Sequence, residues 1–338
     1  MKVVLVYDEP LGPESAGEPL PEDIGAEYES NRTIEVLLQA IRACGHKAVG
    51  INLTEDFPGQ IRQLKPDLVF NIAEGIRGPA RESIVPAWLD HLGIPYTGSD
   101  GLSLAMSLDK ALTKTLASAG GLRTPAFKKV HRIEDLNNLD LKCPLFVKPN
   151  AEGSSMGIRS TSRIETRDQL QRRVAWILET YEQDCLVEEF APGREFCVGI
   201  IGNEKPRLLP VVEIRSRRNF YPYEEKHDHQ RELICPAEIP ENLAEELRWM
   251  GLKIFTILAC RDLARVDFKL DDDGRPNFLE INPLPGLSPY YSIFPYQAAV
   301  AGLSYQQLIG QIIDWARQRR PNYQNRPPLQ IRMSEQTV

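Results

Sequence analysis

The stretch RVDFKLDDDGRPNFLEIN, Arg265 to Asn282, constrains this 338-residue chain more than any other. Its first arm alternates Arg265, Asp267 and Lys269 with Val266, Phe268 and Leu270. Its second alternates Phe278, Glu280 and Asn282 with Leu279 and Ile281. A period of two marks half-buried strands, and Asp273-Gly274 between them is a dipeptide favoured in type I′ turns. A hairpin with a two-residue loop is therefore expected. It sets Asp267 opposite Glu280 and Arg265 opposite Asn282 on one face. Like charges directly opposed, at about 5 Å between Cβ atoms, destabilise a sheet unless something compensates. Water on a solvated face is one compensator. A hard cation is another, because two carboxylates and an amide oxygen are ligands that Mg2+ accepts, usually together with substrate phosphates. The hairpin alone leaves both open.

The chain is long enough for two or three domains and a sizeable core. A net charge of −7 argues against a general nucleic-acid binder, which needs a basic footprint. The six cysteines are scattered singly, without metal-ligand spacing, and most lie among apolar residues, so buried reduced thiols are expected. No apolar run approaches about 18 residues, and MKVVLVYDEP is too short and too soon acidic for a signal peptide. The expected location is cytoplasmic, with neither membrane nor nucleic acid as a partner. No internal repeat or low-complexity segment is visible.

Strands are expected in KVVLVY (residues 2–7), HKAVGINL, DLVFNIA and IPYTGS. An amphipathic helix carrying Ile34, Leu37, Leu38 and Ile41 and stopped by Gly45 follows the first, and ESIVPAWLDHLG forms another. This alternation predicts a doubly wound α/β domain over residues 1–105, with Glu74 and Gly98 at the mouth formed by the strand ends. One helix from Ser103 to Ala119 would carry Lys110 and Lys114. A second unit, 106–188, holds the strand PLFVKP, the turn NAEGSSMG and a helix burying Leu170, Val174, Ile177, Leu178 and Tyr181. A third, 189–320, is mostly strands, with helices near 241–258 and 304–318, the last burying Leu308, Ile309, Ile312 and Ile313. A polar tail, 321–338, is expected to be loosely ordered.

Several motifs admit more than one chemistry. VKPNAEGSSMG ends a strand on Lys148 and follows it with small residues whose amides could approach phosphate oxygens. It is no Walker loop, since the lysine precedes the glycines; an ordinary flexible turn is the plain alternative. Gly153-Ser154-Ser155-Met156-Gly157 also matches the hydrolase nucleophile elbow G-x-S-x-G. That motif requires a tight strand-to-helix turn, which Pro149 to Glu152 and the poorly helical IRSTS do not offer. Glu188 and Glu195 bracket EFAPGR and could accept hydrogen bonds from an adenine amine or ribose hydroxyls, or simply be exposed. His227 and His229 could hold zinc on one strand face, though no third ligand lies nearby in sequence.

In order, IPYTGS, LDKALTK, VKPNAEGSSMG, EEFAPGREF, RVDF and EINPLPG resemble the ATP-grasp superfamily, and within it the D-alanine–D-alanine ligases, over residues 25–315. The resemblance implies an ATP-grasp fold: an N-terminal doubly wound α/β domain, a small central α+β domain and a C-terminal, mostly antiparallel α+β domain. It implies an ADP-forming carboxylate–amine ligase acting through an acyl phosphate on amino-acid or hydroxy-acid substrates. A homodimer is compatible with it. ATP is implied with two Mg2+ ions, or Mn2+ in their place. By the same resemblance Lys110, Lys148 and Lys226 hold ATP phosphates under the loop formed by Glu152, Gly153, Ser154 and Ser155. Glu188, Glu189 and Glu195 meet adenine and ribose. Asp267, Glu280 and Asn282 bind metal. Arg265 stabilises charge during transfer, Glu27 and Ser154 handle the first amino acid's ammonium group, and Gly286 and Ser292 face the second substrate.

The chain departs from that pattern in the half that takes the second substrate. Glu74-Gly75 stands where the family usually has His-Gly, and ARES (residues 80–83) where it has EDG. In FYPYEEKH, His227 replaces a tyrosine, a substitution similar to that of D-alanine–D-lactate ligases. Ser292 follows an apparent one-residue insertion. Glu74 is expected to favour a cationic or neutral group nearby, unless it pairs with Arg77 or Arg81 and never meets substrate. Closure of the 215–232 loop on the glycine-rich loop is expected to exclude water. A depsipeptide ligase, a dedicated biosynthetic amino-acid ligase and a non-catalytic nucleotide sensor are the alternatives; the sensor should have lost a metal ligand, and none is missing.

Overall fold

The computed structural model of the protein describes residues 1–9, 21–216, 220 and 232–319. Three sheets make up the described chain. The first is parallel, ordered β2-β1-β3, from β1 (Lys2–Tyr7), β2 (Lys47–Asn52) and β3 (Leu68–Asn71). Helix α1 (Asn31–Ala43) crosses from β1 to β2 and starts where the Ser30 hydroxyl accepts the Thr33 amide at 3.2 Å, an ordinary N-cap. Helices α2 (Phe57–Leu64) and α3 (Ile84–Leu92) complete this unit. The expected strand IPYTGS is reduced to a single parallel bridge, Val69 to Tyr96. Pro95 has no amide to give and Gly98 turns away at φ +89°, so the ladder cannot extend.

The expected helix over 103–119 is two helices, α4 (Gly101–Leu108) and α5 (Lys110–Ala119). Asp109, at ψ 98°, breaks them, and its carboxylate accepts the Leu112 amide at 2.9 Å to cap α5. Apolar periodicity runs through such a one-residue break undetected. The break matters, because Lys110 now opens a helix instead of lying within one.

The second sheet is antiparallel, ordered β4-β7-β5-β6, from β4 (Phe127–Val130), β5 (Leu145–Pro149), β6 (Arg163–Ile164) and β7 (Cys185–Glu189). Helix α6 (Arg167–Tyr181) buries Leu170, Val174 and Ile177 against it, with Leu178 and Tyr181 half-buried beside them. The third sheet, also antiparallel, runs β11-β10-β8-β12-β13, with β9 beside β8. Its strands are β8 (Glu195–Ile201), β9 (Arg207–Leu208), β10 (Val212–Arg215), β11 (Glu232–Ile234), β12 (Leu263–Leu270) and β13 (Pro276–Asn282). Helix α7 (Glu241–Ile257) covers it. Helices α8 (Ile293–Val300) and α9 (Tyr305–Gln318) return to the first unit. There Leu308, Ile309, Ile312 and Ile313, fully buried, share one core with Leu37 and Ile41 of α1. The end of the chain thus completes the core begun at its start.

The hairpin β12–β13 pairs Arg265 with Asn282 and Asp267 with Glu280, as its alternation requires. Its turn is different. Residues 271–275 form the loop, tied by the Asp271 carboxylate to the Asp273 and Arg275 amides at 3.0 and 2.8 Å, so Leu270 faces Pro276. A bulge between Asp267 and Phe268 then restores the register farther along. It also sends Phe278 to the buried face, where its ring meets Phe268 edge-on at 6.4 Å, while Leu279 lines the cavity. The 271–275 loop corrects the expected two-residue turn, and the bulge corrects the expected placement of Phe278 on the acidic face.

Candidate active site

One cavity, lined by residues of all three units, collects most of the residues that the sequence singles out. Lys148 ends β5 and Lys110 heads α5, where its amide donates to the Asn150 carbonyl at 3.1 Å. Glu188 near the end of β7 accepts Lys148 at 3.0 Å and Lys114 at 2.8 Å. Burial opposes the Glu188 charge, yet the two ammonium groups win and hold its pKa down at about 2. Lys114 is wholly buried, and burial lowers it to about 8 although Glu188 pulls the other way. Lys148 is raised, because Glu188 and Glu280 outweigh its burial.

Beyond Glu188 the wall turns apolar. Phe146 and Phe190 lie stacked at 6.1 Å, and Phe220 meets Phe146 edge-on at 5.3 Å. Glu189 stands at the rim, exposed, and Glu195 accepts Lys269 at 3.5 Å. Burial raises the Glu195 pKa. A flat slot with carboxylates at its edge suits a planar base carrying a sugar.

The glycine-rich turn folds over this region with three successive demands on its backbone. Ser154 and Ser155 have φ +47° and +62°, a conformation non-glycine residues seldom adopt, and Gly157 has φ +68°. A Cβ on Gly157 would sit 2.3 Å from Cγ of Pro149. The turn is tethered to the first unit: the Gly153 amide donates to Glu27 at 2.5 Å and the Gly157 amide to Asp23 at 2.9 Å. It leads into no α-helix until α6, only a 3-10 turn at Ser160–Ser162, and no described histidine lines the cavity, so the hydrolase elbow is set aside.

On the hairpin, Arg265 grips Asp267 with Nε and Nη2, each at 2.8 Å, and the Asn282 amide donates to Asp267 at 3.2 Å. Glu280 lies 3.6 Å from the Lys110 ammonium. Burial would raise Glu280, but Lys110 and Lys148 bring its pKa down. Burial likewise opposes the Arg265 charge, and Asp267 more than offsets it.

The opposite end of the cavity is acidic. Arg81 pairs with Glu27, with Glu152 at 3.2 Å and with the Ala151 carbonyl at 2.8 Å. Glu152 also accepts Gln183 at 2.5 Å, and its carbonyl takes the Lys110 ammonium. Arg81 therefore serves Glu27 and Glu152, and Glu74 remains on the cavity wall with Glu82. Burial raises the pKa of Glu74, and the neighbouring Glu82 and Glu27 add to it. Burial pushes Glu82 up to about 8. Gly286 is on the wall, while the Ser292 hydroxyl accepts the Ser288 amide at 3.2 Å and does not line the cavity. Gly98, expected at the mouth, instead donates to buried Asp262 at 2.8 Å. Lys226, His227, His229, most of the 215–232 loop and the polar tail lie outside the described residues.

Sequence reasoning gave Lys114, Lys269 and Glu82 no role, and offered Arg81 only as a partner for Glu74. Lys269 was within reach, since it shares a strand face with Asp267 two residues away. Lys114 and Arg81 gain their places only through pairing across distant segments.

The family model described as D-ala D-ala ligase C-terminus matches residues 116–314. An uncharacterized protein of Sinorhizobium fredii is 37% identical over 319 residues, covering 90% of this chain and 92% of its own. The D-alanine–D-alanine ligase of Aquifex aeolicus is 34% identical over 285 residues, covering 84% and 94%. Among solved structures, D-alanine–D-alanine ligase from Bacillus anthracis superposes with a TM-score of 0.75 at 25% identity, over 94% of this chain and 97% of that one. VanG D-Ala:D-Ser ligase from Enterococcus faecalis gives 0.73 at 21%, over 93% and 99%. On the matching family model and these relatives, the chain belongs to the D-alanine–D-alanine ligase family of ATP-grasp carboxylate–amine ligases.

Proposed function

We propose that this protein uses ATP to activate the carboxylate of one amino acid and joins it to the amine of a second, releasing ADP and phosphate. One observation carries the reading: Lys110, Lys148, the glycine-rich turn and the Asp267–Glu280 pair face a single cavity with an aromatic slot beside them. Lys110 and Lys148 suit the phosphate oxygens of a triphosphate, and Asp267 and Glu280 suit the cations that arrive with it. Asp267, Glu280 and Asn282 offer the hard oxygen donors that Mg2+ takes, and Mn2+ accepts the same set. When bound, ATP supplies the γ-phosphoryl group that the first carboxylate accepts, and two such ions supply charge neutralisation.

The protein's own residues do the rest. Lys110 and Lys148 hold phosphate oxygens, and Glu188 fixes where the Lys148 ammonium points. Glu189 and Glu195 meet the base and sugar against Phe146 and Phe190. Glu27 receives the first amino acid's ammonium. As the incoming amine nitrogen attacks the acyl carbon, negative charge gathers on the acyl oxygen before phosphate departs and the amine gives up a proton. Arg265 spends Nε and Nη2 on Asp267 and leaves its Nη1 edge for that oxygen. Gly286, with no side chain, leaves room on the wall for the second substrate.

The test is turnover with pairs drawn from D- and L-amino acids and hydroxy acids, with nucleotides separated by chromatography and products weighed by mass spectrometry. ADP and phosphate are expected in step with a condensed product. AMP growing in step with product would overturn the mechanism.

A further inference from the structure

We propose that the amino acid seated against Glu27, Glu74 and Glu82 carries a second cationic group on its side chain, that is, a diamino acid. The inference rests on the ligase reading above and names its substrate class. Glu27 has Arg81 and the Gly153 amide, and Glu152 has Arg81 and Gln183. Asp8 accepts the Glu74 and Gly75 amides at 2.7 and 3.0 Å. Glu74 and Glu82 differ. Both line the cavity, and among the described residues no hydrogen bond or ion pair reaches either carboxylate; Glu82 is only 8% exposed.

Glu82 is buried and Glu74 half-buried beside it, so ionising either without a partner is costly, and ionising both more so. A methyl side chain would bury both acids further and compensate neither. An ammonium group on a short flexible stem would pair with both, while the α-ammonium of the same amino acid remains for Glu27.

The experiment measures binding by calorimetry in the presence of Mg2+ and a non-hydrolysable ATP analogue. Diaminopropionate, ornithine and lysine, in both chiralities, are compared with the neutral isosteres aminobutyrate, norleucine and aminoheptanoate. At least one diamino acid is expected to bind about tenfold or more tighter than its isostere, and Glu74→Gln with Glu82→Gln to reduce that ratio to about twofold. Isosteres that bind as tightly, no binding by any diamino acid, or a preference that survives both substitutions would overturn the proposal. If the double variant does not fold, the comparison of isosteres on the parent protein decides. ADP release is scored separately: turnover of neutral pairs without a diamino preference sinks this inference and leaves the ligase, whereas tight diamino binding with no ADP from any pair sinks the ligase reading alone.

Discussion

At the scale of single residues, the hairpin acids carry the sharpest expectation. Asp267→Asn and Glu280→Ala should each lower kcat by about 100-fold or more, roughly 2.7 kcal/mol of transition-state stabilisation. On a merely solvated face both variants would turn over like the parent, and a steady-state assay with titrated Mg2+ separates the two. Glu82 gives a second expectation, on stability. Its pKa rises from an ordinary 4.5 to about 8 on folding, so between those values the folded state holds a proton that the unfolded state has lost. That contribution is present at low pH and is lost as pH climbs from about 4.5 through about 8. Glu82→Gln removes it. Melting curves from about pH 5 to about pH 8 should therefore fall more steeply for the parent than for the variant; parallel curves would show that Glu82 is ionised throughout.

At the scale of elements, the break between α4 and α5 decides where Lys110 points. Asp109→Ala removes the cap on the Leu112 amide and should cost about 1 kcal/mol. The Asp109–Lys129 bridge at 2.8 Å is partly exposed and adds little. Denaturant midpoints measure the loss, and KM for ATP should rise with it while Asp109→Asn keeps both near the parent. The glycine-rich turn is less forgiving. With φ +68° and Pro149 crowding the space a side chain would fill, Gly157→Ala should lose about 1–3 kcal/mol and raise KM for ATP. Unchanged stability would mean that the turn relaxes freely. The α6 stripe was legible in sequence because it is local. The five-residue hairpin loop was not, because Asp271 builds it from side-chain bonds that compete with the favoured Asp-Gly turn.

At the scale of the whole molecule, the first and last units are joined through Asp262. Fully buried and at φ +61°, it accepts the Gly98 amide at 2.8 Å and Asn203 at 2.9 Å, and lies 3.3 Å from Arg319. Asp262→Ala strands those donors and should cost about 3 kcal/mol, whereas Asp262→Asn keeps the backbone conformation and part of the bonding. Thermal unfolding followed in both variants gives the order. Equal midpoints would place the coupling elsewhere, in the core that α9 shares with α1.

The sequence by itself determined most of the strands, the alternating arms of the hairpin, the helix stripes and the order of the motifs, because each depends on neighbours a few positions apart. It could place Asp267 opposite Glu280, since one extra bulge residue offset one misjudged turn. Only the tertiary structure decided that Arg81 would serve Glu27, 54 residues away, and leave Glu74 to the cavity. It alone seated Lys114 on Glu188 and gathered Phe146, Phe190 and Phe220 into one slot. The physical reason is that a charge in a chain has many partners of equal merit, and burial selects among them only once the sheets have met.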